Sequence, residues 1–127
     1  MLVVKHKTFT DNRGDLIPIE FDQFPFIPKR LFIVKNVPQG YRRGEHAHYK
    51  TQQYLICLRG FIKVALHNGK VLDECILKEG DAILIREMMW DYQEFLTDND
   101  VLLVVCSTKF DLNDYIGDFE EFKRMIP

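Results

Sequence analysis

Short runs of β-branched and aromatic residues, each closed within a few positions by turn formers, leave this chain little to fold into except antiparallel sheet. The runs are Leu31 to Val34, Gln53 to Leu58, Phe61 to Leu66, Lys70 to Leu72, Glu74 to Leu77, Ala82 to Ile85, Trp90 to Tyr92 and Val101 to Ser107. Between them stand Arg59-Gly60, Asn68-Gly69, Glu79-Gly80-Asp81 and Thr97 to Asp100. Asn68-Gly69 suits a two-residue hairpin, because both positions tolerate positive φ. No helical pattern separates the runs, so a parallel α/β sheet is excluded and an all-β sandwich or barrel of the jelly-roll kind is expected. One short C-terminal helix is predicted over residues 113–125, where Tyr115, Ile116, Phe119, Phe122 and Ile126 recur at helical spacing behind the capping residues Asp111 to Asn113. That aromatic stripe reads as packing against the sheet. With 127 residues and no linker, repeat or low-complexity stretch, the chain reads as a single domain, 1–127.

Composition removes several classes of function. The balance of 46% hydrophobic and 28% charged residues suits a soluble globular chain without a disordered tail. Val101 to Cys106 is the longest apolar run, far short of the roughly 20 residues of a membrane-spanning helix. Lys5 and Lys7 place charge where an export signal needs its apolar centre, so no signal peptide is read. Cys57 and Cys106 lie inside apolar stretches, where a thiol packs as a small hydrophobe, and an odd total of three cysteines fits a reduced cytoplasm. A net charge of −2 gives no broad field for nucleic acid, and neither nucleic acid nor membrane is expected as a partner. Locally, however, Lys29, Arg30, Lys35, Arg42, Arg43 and Lys50 face only Glu45 along one stretch, which suits an anionic ligand.

The chemistry is concentrated in Gly40 to Gln53. Residues two apart on a strand face the same way, so His46 and His48 project together from one side of the sheet. If that side is the interior, two imidazoles meet in one pocket. His6 and His67 stand in polar, turn-flanked contexts and read as surface residues. The spacing of Gly40, His46, His48 and Gly60 resembles the first motif of the cupin superfamily, and Gly80 to Tyr92 resembles its second. At the Glu position of the first motif the chain has Gln52 or Gln53, and at the remaining His position of the second it has Asp91. Two neutral imidazoles and an uncharged amide make a poor divalent-metal site, so no metal and no cofactor are expected.

More narrowly, the chain resembles the cupin-type sugar 3,4-ketoisomerases along nearly its whole length. The residues that carry this are Asp11 to Glu20, Pro25 to Arg30, Arg43 to His48, Gln53 to Gly60, Met89-Trp90 and Asp114 to Ile116. The resemblance implies a metal-independent isomerase that moves the keto group of dTDP-4-keto-6-deoxyglucose from C4 to C3 through an enediol. Its products feed 3-amino-3,6-dideoxy sugars of lipopolysaccharide or other glycans. His46, the first of the pair, carries over as the base, with His48 orienting the sugar or assisting the shuttle. An imidazole with a pKa near 6.5 suits the taking and returning of protons at neutral pH.

Arg13 and Arg43 are candidates to meet the charge that builds on the sugar oxygens. Arg13 and Asp91 occupy the two family positions that vary with product stereochemistry, so the configuration at C4 stays open. Arg30, Arg43 and Lys50 can meet the diphosphate, while Tyr49, Tyr54 or Phe32 can stack on thymine and Gln53 completes the substrate-binding set. Three other readings are weighed: a dTDP-sugar 3,5-epimerase, a metal-dependent cupin using His46, His48 and Asp91, and a non-catalytic sugar-nucleotide binder. An open sheet edge and the strand beginning at Met1 imply a homodimer, as is usual in the family.

Overall fold

Alternation along a single strand shows how the sheets are built. Between Arg30 and Lys35 the odd residues Leu31, Ile33 and Lys35 are exposed, while Arg30, Phe32 and Val34 turn inward and are half-buried. The computed structural model describes all 127 residues. They form β1 (Val3–Lys5), β2 (Phe9–Asp11), β3 (Gly14–Leu16), β4 (Arg30–Lys35), β5 (Arg42–His48), β6 (Gln53–Arg59), β7 (Phe61–His67), β8 (Leu72–Lys78), β9 (Asp81–Ile85), β10 (Trp90–Phe95), β11 (Val101–Cys106), β12 (Tyr115–Ile116) and α1 (Phe119–Met125).

Two five-stranded antiparallel sheets, in the orders β1-β9-β6-β11-β4 and β12-β5-β10-β7-β8, enclose the core, and β2-β3 forms a separate hairpin. The expected all-β jelly-roll class and the short C-terminal helix are both present. The hydrogen-bonded ladder stops at each sheet's edges, so the two sheets enclose the core without closing into one barrel. Inward residues such as Leu55, Cys57, Ile62, Val64, Phe95, Leu102 and Val104 form the main core cluster. A second cluster, Tyr54, Ile56, Ala82 and Val105, lies on the outer face of the first sheet beneath Ile19, Phe24 and Phe26. No helix is long and apolar enough to cross a membrane.

Turns are held by side chains. Asp100, 1% exposed, accepts from the amides of Phe61 and Thr97 at 3.0 and 2.8 Å and so ties the β6–β7 turn to the loop before β11. Gly60 (φ +84°) lies against Asp100, where a Cβ would collide with the carboxylate.

Three expectations change. The β7–β8 loop spans residues 68–71, because Asn68 Oδ1 accepts from the amides of both Lys70 and Val71 and His67 pairs with Leu72. Lys70 and Val71 therefore belong to the turn. The helix begins at Phe119 and not at residue 113. Tyr115 and Ile116 instead pair with His48 and Ala47, adding an edge strand to β5, and Asp118 caps α1 by accepting from the Glu120 amide. Their helical spacing with Phe119 is a coincidence of two elements. His6 and His67 are half-buried, the first bonded to the Tyr54 hydroxyl at 2.9 Å and the second packed edge-on against Phe119.

Candidate active site

The site depends on an irregularity in β5. Against β10, His46 pairs with Asp91 and Gly44 with Tyr92, which leaves Glu45 as an extra, unpaired residue. Both bulge residues have left-handed backbone, with φ +92° at Gly44 and +62° at Glu45. A Cβ on Gly44 would sit 3.1 Å from Tyr92 Cα and 3.2 Å from the Asp91 carbonyl, so a side chain there would press on the backbone of β10 as well as strain its own φ. Glu45 holds a conformation that costs a non-glycine residue about 1 kcal/mol or more. The bulge shifts side-chain parity by one. Arg43 and His46, three apart in sequence, therefore both line the same cavity. Arg42 points to the other face, over the Tyr92 ring and toward Glu94.

That cavity, about 420 Å³, is also lined by Arg30, Phe32, Gln53, Asp91, Gln93 and Tyr115. A larger one, about 630 Å³, lies beside β1 and the Pro18 to Pro25 segment. The smaller one holds the chemistry, because the buried side-chain atoms without any hydrogen-bond partner are His46 Nε2, His48 Nε2 and Asp91 Oδ2, and two of those three residues line it.

His46 sits with its ring centroid 4.9 Å from that of His48 and 5.1 Å from that of Tyr115. Burial, reinforced by His48, pushes its pKa down to about 4 against the opposing backbone of Gly44. At neutral pH it is an uncharged base with a bare nitrogen. His48 is 5% exposed; burial lowers its pKa, while Asp114 opposes the shift through an Nδ1 to Oδ2 contact of 3.2 Å. Asp91, 1% exposed, has its carboxyl pushed up to about 7 by burial, against a hydrogen bond donated by Gln93 Nε2 at 2.6 Å. For Asp114 burial acts upward, but hydrogen bonds from Thr51 and Lys50 together hold it below the usual carboxylate range.

Positive charge at the cavity is not spent on ion pairs. Arg13 and Arg42 are the arginines engaged with carboxylates, whereas Arg30 is stacked between the rings of Phe32 and Phe110 at 4.8 and 5.1 Å. Arg43 stands exposed at the cavity wall. An anion between them meets no competing carboxylate partner on either guanidinium.

The structure gathers His46, Arg30, Arg43, Gln53 and Asp91 around the cavity, with His48 packed beside His46 and Phe32 beneath Arg30. The other candidates stand elsewhere. Arg13 lies in the exposed β2–β3 hairpin, in an ion pair with Asp11 at 2.6 Å. Tyr54 follows inward-facing Gln53 and so projects from the opposite face of β6, toward His6. Tyr49 and Lys50 occupy the exposed turn after β5, with Lys50 beside Phe110 and Asp111. Gln93, Tyr115 and Asp114 were not read from the sequence as site residues. Gln93 faces inward one step beyond Asp91's neighbour Tyr92, a parity signal available once Asp91 is assigned; Tyr115 and Asp114 arrive through β12, which no local signal reveals. His46, His48 and Asp91 do not form a metal cluster: no three His, Cys, Asp or Glu residues are placed to hold an ion.

The FdtA family profile, described as WxcM-like, C-terminal, matches residues 2–127. The TDP-4-oxo-6-deoxy-alpha-D-glucose-3,4-oxoisomerase of Aneurinibacillus thermoaerophilus is 31% identical over 126 residues, covering 98% of this chain and 91% of that protein. Among solved structures, a 3,4-ketoisomerase from Helicobacter canadensis superposes with a TM-score of 0.91 at 31% identity, over 98% of this chain and 95% of its own. A mutant of the 3,4-ketoisomerase QdtA from Thermoanaerobacterium thermosaccharolyticum, in complex with TDP-4-keto-6-deoxyglucose, superposes with a TM-score of 0.91 at 30% identity, over 98% and 91% of the two chains.

Proposed function

The chain belongs to the FdtA family, and from that premise we propose that it is a sugar-nucleotide 3,4-ketoisomerase acting on TDP-4-keto-6-deoxyglucose. One observation carries the reading beyond family membership: a neutral imidazole, His46, presents an unpartnered Nε2 at a cavity whose two arginines, Arg30 and Arg43, are free of carboxylates.

Moving the ketone from C4 to C3 relocates two protons. His46 Nε2 takes the proton from C3, the C3–H electron pair becomes the C3–C4 double bond, and the C4 carbonyl becomes an enolate oxygen. The C3 hydroxyl proton passes to the C4 oxygen with His48 assisting, and His46 returns its proton to C4 as the C3 carbonyl forms. Atoms and charge balance: C3 is oxidised from alcohol to ketone as C4 is reduced from ketone to alcohol, so no external oxidant or reductant is needed. Arg43 and Arg30 stabilise the enolate oxygen and the diphosphate, where a charge-assisted, preorganised donor acts most strongly. Gln53, Gln93 and Asp91 hydrogen-bond the sugar from the cavity wall. Phe32 and Tyr115 supply the apolar surface of the same wall.

Incubated with TDP-4-keto-6-deoxyglucose in deuterated water, the protein is expected to give the 3-keto isomer by NMR. Epimerisation at C3 and C5 without keto migration would instead support the epimerase reading, and binding without conversion the non-catalytic one. The stereochemistry at C4 is read from the same spectrum.

A homodimer is supported by the outer face of the first sheet, where Leu31 and Ile33 of the edge strand β4 remain exposed. Exposed apolar rows of this kind are normally covered by a partner. Sedimentation is expected to give a dimer at micromolar concentration, and a monomer would count against this. The reduced cytoplasm is supported by three free cysteines, two of them buried.

A further inference from the structure

One buried carboxylate gathers an unusual number of donors immediately behind the histidine pair. Asp114, 7% exposed, lies just before β12. Its Oδ1 accepts from the Lys50 amide at 2.9 Å. Its Oδ2 accepts from the Thr51 amide at 3.1 Å, from the Thr51 hydroxyl, and from His48 Nδ1 at 3.2 Å. Its own carbonyl accepts from the Tyr49 amide at 3.0 Å. Every residue from His48 to Thr51 is thus tied to Asp114.

A carboxylate only accepts, so the hydrogen between Asp114 and His48 belongs to the imidazole. In the neutral ring this leaves Nε2 as a lone pair, and that nitrogen is buried with no partner of its own. The ring cannot turn freely, being packed 4.9 Å from His46 and 4.4 Å from Tyr115 between centroids. The opposite tautomer would set a bare Nδ1 against a carboxylate oxygen and lose the bond.

Resting on the ketoisomerase reading, we propose that Asp114 is a positioning residue that fixes His48 in its Nδ1–H tautomer, so that Nε2 is the atom available to accept a hydroxyl proton. The requirement is chemical. A ring that passes a proton from one sugar oxygen to the next must first accept at its free nitrogen, and with Nδ1 bonded to Asp114 that nitrogen is Nε2. When His48 transiently carries both protons, the same carboxylate faces the imidazolium and stabilises it. The positive charge of Arg30 opposes that of the imidazolium, which makes the carboxylate's contribution more necessary.

The test compares Asp114→Asn with Thr51→Val, which removes a hydroxyl donor from the same carboxylate but leaves the His48 bond. Histidine ¹⁵N spectra of the unliganded protein are expected to show His48 as Nδ1–H in the wild type and in Thr51→Val, and as Nε2–H or a mixture in Asp114→Asn. With TDP-4-keto-6-deoxyglucose, Asp114→Asn is expected to lower kcat by up to about 10⁴-fold, the loss seen when an orienting carboxylate becomes an amide, with KM changed less than about threefold. Thr51→Val is expected to lower Tm while kcat stays within about threefold. An Nε2–H tautomer in the wild type, or an Asp114→Asn protein that keeps both Nδ1–H and its kcat, overturns the proposal. Should Asp114→Asn not fold, the wild-type tautomer alone still decides. Absence of turnover in the wild type would sink the ketoisomerase reading and leave the tautomer measurement standing as an independent result.

Discussion

Replacing His46 with Asn is expected to lower kcat on TDP-4-keto-6-deoxyglucose by about 10³-fold, within the range of roughly 10² to 10⁴ that a positioned general base contributes. The substitution keeps a similar shape and removes the basic nitrogen. Among the other polar groups lining the cavity, Gln53 and Gln93 are amides, Tyr115 is a phenol, the guanidinium groups of Arg30 and Arg43 offer no lone pair, and Asp91 is already engaged by Gln93 through Oδ1. Binding of the nucleotide sugar should change little, since the two arginines that meet the diphosphate are untouched by the substitution. The check is exchange of the C3 proton into deuterated solvent alongside calorimetric binding. Exchange at the wild-type rate would remove His46 from the reaction.

Between about pH 4 and 6.5, Asp91→Asn is expected to gain stability with rising pH by about 3 kcal/mol relative to the wild type. The reason is that Asp91 and His46 pull in opposite directions over that window. The Asp91 carboxyl is raised to about 7 in the folded protein from an ordinary 3.8. Folding therefore retains a proton the unfolded chain has lost, and this contribution, full below about pH 4, is lost as pH rises through 7. His46 is lowered to about 4 from 6.5, so the unfolded chain binds a proton that the folded one refuses. Its effect is a loss of stability as pH falls from 6.5 toward 4. At about 1.4 kcal/mol per pKa unit the two shifts are similar in size, and in the wild type they largely offset each other. Removing the acid exposes the histidine's slope. Groups such as Asp114 titrate in both proteins and cancel in the difference. Urea denaturation at a series of pH values measures it, and parallel curves for the two proteins would mean that Asp91 is not a buried acid.

Much of the fold was legible because it is written in local chemistry. Turn residues such as Gly60 and Gly80 are set by backbone conformation, and β-branched runs by burial on a pleated surface, so strands and hairpins could be read one at a time. The C-terminal region was harder, since Tyr115 and Ile116 have a strand former's composition but fall at helical spacing with Phe119. Only their pairing with β5 separates the two readings. At the site, the histidine pair was visible because strand periodicity puts His46 and His48 on one face. Gln53 and Tyr54 could not both face the cavity from adjacent positions of one strand, and parity alone would have removed Tyr54. The distance between Arg13 and the cavity, and the arrival of Asp114 behind His48 from 66 residues away, are tertiary facts without a local signal.

The extra residue in β5 gives the active site a phase. Arg43 and His46 belong to one surface only because Glu45 interrupts the count between them. In an uninterrupted strand, the residue sharing a face with His46 would be Gly44 and then Arg42, whose guanidinium is committed to Tyr92 and Glu94. The anion-binding charge and the base are thus registered to each other by a single backbone irregularity. Their spacing in the chain is fixed not by how far apart the two groups must lie but by which side of the sheet each must emerge on.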